Sequence, residues 1–146
     1  MDACIFCQIV RKESPASLVY EDEACLAFMD IRPVNPGHVL VVPKKHAVLI
    51  SEMAMDEFAR LFSAVQKVAA GVRTAGLRCE GVNLLLADGE AAGQEIFHVH
   101  VHVFPRFAGD GFGFRFGRAY SNPPGRRELD EHARLIRSAI GSTLRP

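Results

Sequence analysis

Apolar and polar positions alternate in short stretches through the first half of the chain and give way once to a longer helical period. Leu18-Val19-Tyr20-Glu21 alternates, as does Ala24-Cys25-Leu26-Ala27-Phe28-Met29, and the charged turn Asp22-Glu23 between them predicts a hairpin. Ile31-Arg32-Pro33-Val34-Asn35-Pro36-Gly37 breaks the pattern. Its Pro and Gly residues predict a loop that delivers His38 to the mouth of the apolar run Val39-Leu40-Val41-Val42, a buried strand ended by Pro43. From Asp56, a candidate N-cap, Phe58, Leu61, Phe62, Val65, Val68, Ala69 and Val72 recur every three or four residues up to Gly76, a candidate C-cap. That spacing predicts a helix of about five turns. Val82 to Leu86 reads as a short strand, Asp88 to Gly93 as a tight loop, and Phe97 to Phe104 as a longer strand stopped by Pro105. A Gly/Phe-rich loop from Phe107 to Gly117, a Pro124-Gly125 turn and a final helix carrying Leu129, Ala133, Ile136 and Ile140 follow. Short connections between successive strands favour an α+β fold with a mostly antiparallel sheet.

Length agrees with one domain over residues 1–146, its core spanning about 3–106 and a C-terminal loop and helix covering 107–146. The 17 Lys and Arg balance the 17 Asp and Glu and are interspersed with them, which argues against a partner such as duplex DNA or an anionic membrane. Any phosphate bound should be small and locally held. No uncharged run approaches the roughly 18 to 20 residues that span a bilayer. Met1-Asp2-Ala3-Cys4 lacks the basic and apolar regions of a secretory signal, so a cytoplasmic location is expected. Cys4, Cys7, Cys25 and Cys79 are then reduced thiols, free or metal-bound.

The chemistry concentrates in His98-Val99-His100-Val101-His102-Val103, which holds half of the six histidines. On a strand, His98, His100 and His102 share one face while Val99, Val101 and Val103 point into the core. Such a row suits either a metal site or nucleophilic and acid/base work at phosphorus or a carbonyl. His98 and His102 would stand roughly 13 Å apart along a strand, too far for three imidazoles to share one zinc easily. A nucleophilic middle imidazole with flanking donors fits better. Gly89-Glu90-Ala91-Ala92-Gly93-Gln94 adds a turn whose backbone can aim N–H groups at an anion.

The run Gly93-Gln94-Glu95-Ile96-Phe97-His98-Val99-His100-Val101-His102-Val103 resembles the signature of the histidine triad (HIT) superfamily of nucleotide-binding proteins. The likeness extends to Cys4-Ile5-Phe6-Cys7-Gln8-Ile9-Val10, to Leu26-Ala27-Phe28-Met29-Asp30-Ile31 with Pro36-Gly37-His38-Val39-Leu40-Val41-Val42-Pro43-Lys44-Lys45-His46, and to Gly89 through Gln94. It is similar above all to the bacterial HIT proteins and Hint-type nucleoside phosphoramidases. The resemblance implies a HIT-like fold, a homodimer, and hydrolysis at the α-phosphorus of a purine nucleotide, an AMP or GMP conjugate, without a catalytic metal. His100 would be the nucleophile that forms a nucleotidyl-histidine, which water then opens. His102 and His38 would contact the phosphate as positive donors and assist the leaving group, and His98 completes the triad. Asp30 would receive the ribose hydroxyls. Phe6, Ile9, Phe28, Ile31 and Leu40 match the slot for the base, each readable equally as core. Gln94 and Glu95 fall at the phosphate. A dinucleoside polyphosphate hydrolase, or a nucleotide-binding or scaffold protein with incidental catalysis, are the alternatives.

Two positions depart from that pattern. Ala87 stands where relatives usually carry Asn or Gln, and Glu95 where many carry Ser or Thr. A carboxylate would repel a phosphate, so Glu95 is expected to turn away while its backbone N–H serves the site. Cys4-x-x-Cys7 by spacing alone is compatible with metal or with isolated thiols. Many bacterial HIT relatives with this pair hold a structural zinc, and the resemblance implies Cys4, Cys7, His46 and His98 as its ligands here, a Cys₂His₂ set. Cys25 and Cys79 read as small apolar residues or free thiols, and His132 as a surface residue. Lys44-Lys45 reads as exposed. The loop 107–118 looks like a Gly/Phe/Arg tract, but its brevity and single acid favour an ordered loop near the site or a dimer contact.

Overall fold

The computed structural model describes residues 4–143, which divide after Phe112 into two compact units. In the first, α1 (Ile5–Val10) precedes β1 (Leu18–Glu21), β2 (Cys25–Met29), β3 (Val39–Pro43), the long helix α2 (Met55–Thr74), β4 (Gly81–Leu85) and β5 (Val101–Arg106). The strands form one sheet in the order β1-β2-β3-β5-β4 with every neighbouring pair antiparallel, so the fold is α+β as expected. Asp22 closes the hairpin by accepting the N–H groups of Ala24 and Cys25 at 2.9 and 2.7 Å.

Strands β2 and β3 bury both of their faces. Ala27, Val39 and Val41 join Val99, Val101 and Val103 beneath Leu61, Ala64, Val65, Val68 and Val72 of α2. Leu26, Phe28, Leu40 and Val42 turn the other way and pack with Phe6 of α1. A fully buried Val or Leu contributes about 1.5–3 kcal/mol, so the α2 face is the main hydrophobic anchor of the sheet. The helix starts at Met55, with Ala54 rather than Asp56 at the N-cap. The Glu57 carboxylate accepts the Ala54 N–H at 3.1 Å, and Asp56 and Glu57 both sit in the first turn, where acids favour the helix dipole. Gly76 follows the C-cap Ala75 with φ +80°, a conformation that suits glycine.

The histidine segment departs from the strand expected over Phe97 to Phe104. Strand β5 begins only at Val101 and runs through Pro105 to Arg106, so His98 and His100 lie in the segment that leads into it. Ladder chemistry explains both ends. The β3 register pairs Val41 with Val101, and two residues further Pro43 has no N–H to offer while its carbonyl accepts His98 Nε2–H at 2.8 Å; the Val99 N–H donates to Ala47 O at 2.8 Å. At the other end the last β3 partner is Val103, so the missing N–H of Pro105 interrupts no β3 ladder bond, and its carbonyl is met by Asn35 Nδ2 at 2.9 Å. Strand β4 is likewise one residue earlier than expected, at Gly81–Leu85. Helix α1, six residues long, is too short to show a period in the sequence.

Between β2 and β3, Asn35-Pro36-Gly37-His38 forms a type II turn. The Asn35 carbonyl accepts the His38 N–H at 3.1 Å, Pro36 supplies its fixed φ, and Gly37 has φ +99°. This turn swings His38 into the interior.

The second unit holds α3 (Arg118–Ser121), not expected from the pattern, and α4 (Arg126–Thr143), which carries Leu129, Ala133, Ile136 and Ile140 as expected. Among the described residues no helix is long and apolar enough to cross a membrane.

Candidate active site and metal centre

The histidines fall into two groups with different chemistry. Cys4 and Cys7 flank the start of α1, His46 follows β3, and His98 leads into β5; their ligand atoms lie within 4.8 Å of one another. Cys4 Sγ stands 3.5 Å from His98 Nδ1, Cys7 Sγ 3.3 Å from His46 Nδ1 and 3.6 Å from His98 Nδ1, and the two Nδ1 atoms are 3.2 Å apart. A tetrahedral zinc with ordinary bond lengths requires S···N edges of about 3.6 Å and N···N edges of about 3.3 Å. The donor set therefore has the size and chemistry of a closed zinc site. The second shell agrees, because His98 Nε2–H donates to Pro43 O at 2.8 Å and leaves the Nδ1 lone pair facing the thiols. Burial, and after it the neighbouring Cys4, pushes the Cys7 thiol up from its ordinary range, the electrostatic condition that a cation would relieve.

Asp30, His38 and His102 form the second group, with His38 Nε2 2.9 Å from His102 Nδ1 and Asp30 Oδ2 at 3.6 and 3.9 Å from those two atoms. Its hydrogen bonding is that of a proton-holding group. The Val34 N–H donates to His38 Nδ1 at 3.0 Å, so His38 carries its proton on Nε2, the atom a metal would need. That Nε2–H donates to His102 Nδ1, which puts the His102 proton on Nε2. His100 Nδ1–H donates to His98 O at 2.7 Å and leaves Nε2 with a free lone pair. One nucleophilic nitrogen and one fixed donor thus sit on neighbouring imidazoles, whose ring centroids are 4.9 Å apart.

Burial corrects the expectation of positive donors. His102 is pushed down to about 4, first by burial and then by His100 and His38, and burial lowers His38 as well against the pull of Asp30. Both are neutral donors at pH 7. The Asp30 carboxylate is also held by the Arg32 N–H at 2.8 Å.

The remaining expected residues separate. Phe6, Phe28 and Leu40 are brought together with Ile9 at the edge of their cluster, and Phe6 packs edge-on against Phe28, His98 and His100 at 5.4, 5.9 and 5.3 Å between centroids. Ile31 is 93 % exposed and stands apart from them. Gln94 is buried, with Oε1 accepting the Gly89 N–H and Nε2 donating to Val48 O, both at 2.8 Å; its side chain braces the loop. Glu95 turns away as expected, to Arg32 at 3.2 Å. Ala87 is buried, His132 is exposed, and Cys25, pushed up to about 11 by burial, is an inert core thiol. Lys44 and Lys45 are paired with Glu21 and Glu57. The sequence pattern did not single out Val34, Asn35 or Pro43, which act through backbone or amide groups. The Pro36-Gly37 pair was the visible sign of the turn that places the first two.

Comparison with known proteins agrees with this geometry. The HIT domain profile matches residues 11–109. An uncharacterised HIT-like protein of Methanocaldococcus jannaschii is 47% identical over 114 residues, 78% of this chain and 87% of its own. The adenylylsulfatase HINT3 of Arabidopsis thaliana is 41% identical over 104 residues, 70% of this chain and 52% of its own. The crystal structure of a zinc-bound histidine triad family protein from Mycobacterium smegmatis superposes with a TM-score of 0.74 at 39% identity, over 97% of this chain and 96% of that one. The profile covers more than half of the chain and the Methanocaldococcus jannaschii relative shares 47% of the aligned residues, so the chain belongs to the HIT family.

Proposed function

We propose that this HIT protein hydrolyses purine nucleoside phosphoramidates, or closely related nucleotidyl conjugates, through a covalent intermediate on His100. The observation that carries the reading is the pair of opposite tautomers on His100 and His102. His100 Nδ1–H is tied to His98 O, so Nε2 attacks the α-phosphorus; a P–N bond to the enzyme forms as the bond to the leaving group breaks. His102 Nε2–H, fixed by His38, donates to a phosphoryl oxygen where charge develops. Water then opens the nucleotidyl-histidine and releases the nucleoside monophosphate. Asp30, an acceptor beside this centre, receives the ribose hydroxyls, and the apolar cluster around Phe28 and Leu40 adjoins the base. The adenylylsulfatase among the relatives acts, by its name, on an adenylyl conjugate, which supports chemistry at the same phosphorus.

His100→Ala is expected to abolish AMP release from adenosine 5′-phosphoramidate while AMP still binds in a calorimeter. Turnover that persists in this variant would overturn the mechanism. Parallel assays with a dinucleoside polyphosphate identify the leaving group, a position at which Ala87 offers no amide.

The same reading places a structural zinc on Cys4, Cys7, His46 and His98. With four protein ligands the site is closed, and the metal would brace the segment that precedes His100 without taking part in the reaction. The zinc-bound Mycobacterium smegmatis structure and the tetrahedral edge lengths support it.

A further inference from the structure

The loop Phe107-Ala108-Gly109-Asp110-Gly111-Phe112 has no part in the reaction described, yet it contains the most heavily bonded carboxylate among the described residues. Asp110, with a side chain only 3% exposed, accepts from Arg106 Nε through one oxygen and from Arg106 Nη2 at 3.0 Å through the other. It also accepts the N–H of Phe107 at 3.4 Å, the N–H of Phe112 at 3.1 Å and Asn35 Nδ2 at 2.9 Å. The Arg106 guanidinium adds Asn83 Oδ1 at 2.6 Å and Phe112 O at 2.8 Å and lies over the Phe112 ring. Arg106 holds the Asp110 carboxyl well below the usual carboxylate range.

Asn35 is the link from this clamp to the site. Its amide holds Pro105 O as well as Asp110, while its carbonyl closes the turn onto the His38 N–H. Its neighbour Val34 supplies the N–H that fixes the His38 tautomer. A second route runs through rings: Phe112 packs on Phe104 and Phe104 on His38, at 5.3 and 5.0 Å between centroids.

We infer that Asp110 is a positioning residue for the hydrolysis proposed above, acting through Asn35 to keep Val34 N–H on His38 and so to hold His102 as an Nε2–H donor. The inference rests on that reading for its kinetic consequence and on hydrogen bonding alone for its structural one. A donor displaced by a fraction of an ångström loses much of its effect on a transition state.

The test uses the full chain, Asp110→Asn, Asn35→Ala and the double variant. With adenosine 5′-phosphoramidate each single variant should lose about tenfold or more in kcat with KM within about twofold, and the double variant should lose no more than the worse single, since both cut one chain of contacts. Nitrogen-15 correlation spectra of the imidazoles, recorded where the variants remain folded, should show His38 as the Nε2–H tautomer in the parent and as a mixture in both variants. Unchanged kcat in folded Asp110→Asn, losses that multiply in the double variant, or an unaltered His38 tautomer would each overturn the inference. A purely structural clamp would lower Tm without altering the tautomer. Should Asp110→Asn fail to fold, Asn35→Ala, which leaves the Arg106–Asp110 pair intact, decides the matter by the same His38 signal. If the parent protein does not turn over the phosphoramidate, the functional reading has failed, and the tautomer spectra still decide the clamp.

Discussion

At the scale of single residues, what matters most is which nitrogen of each histidine carries the proton. Four histidines with similar intrinsic chemistry are assigned different tasks by one hydrogen bond each: Pro43 O to His98, His98 O to His100, Val34 N–H to His38, and His38 to His102. Burial, reinforced by His100 and His38, outweighs the nearby Asp30 carboxylate and keeps His102 neutral, and that has a consequence for stability. The unfolded chain binds a proton near pH 6.5 and the folded His102 only near 4, so between these values the unfolded state holds more protons and stability falls as pH falls. His38, lowered in the same direction, adds to the effect. Replacing His102 by Asn should therefore reduce the stability lost between pH 7 and pH 5 by on the order of 1–2 kcal/mol. Urea midpoints at the two pH values measure it; equal losses in parent and variant would refute the assignment.

The zinc reading is also a residue-scale prediction. Protein purified without chelators should contain one zinc per chain by elemental analysis, and Cys7→Ser should lose it together with a clear drop in Tm. Metal-free protein whose Tm is indifferent to the substitution would remove zinc from the account. The four candidate ligands were legible in the sequence only through resemblance, because spacing alone relates Cys4 to Cys7 but not either of them to His46 and His98. The edge lengths near 3.3–3.6 Å are a tertiary fact.

At the scale of elements, the type II turn before β3 and the helix α2 make opposite demands on glycine. Gly37 sits at φ +99°, and a Cβ there would stand 2.8 Å from Leu77 Cδ1 and 3.3 Å from Pro105 Cγ. Gly37→Ala should cost about 1–3 kcal/mol from the left-handed conformation and contact, and should also lower kcat, since the next residue is His38. Gly71 lies within α2 with open space around its would-be Cβ. Gly71→Ala should stabilise the fold by about 0.5–1 kcal/mol through helix propensity. Thermal melts of the two variants moving in the same direction would contradict this account. The elements themselves were largely readable from period: the hairpin, β3, α2 and α4 lie close to where alternation and three-to-four spacing put them. The miss at the C-terminal end of β5 came from treating Pro105 as a stop. Proline ends a strand only where its N–H is needed by a partner, and whether a partner exists there depends on how far β3 extends alongside.

At the scale of the whole molecule, one face of the sheet carries stability and the other carries chemistry. The even alternation of Val99, Val101 and Val103 under α2 seats the segment whose His100 packs on Phe6 of α1 and whose His102 meets His38. Local period and residue type are properties of neighbours along the chain, and they sufficed for the α+β class and for the valine side of the histidine segment. Only the tertiary structure decided which histidines work together, which tautomer each adopts, that Glu95 is turned to Arg32, and that Asp110 is bound to the turn carrying His38. The pairing of His38 with His102, of Arg32 with Glu95 and of Asn35 with Asp110 brings atoms to about 3 Å from positions more than 60 residues apart, and burial strips water from them, neither of which is a function of local order in the chain.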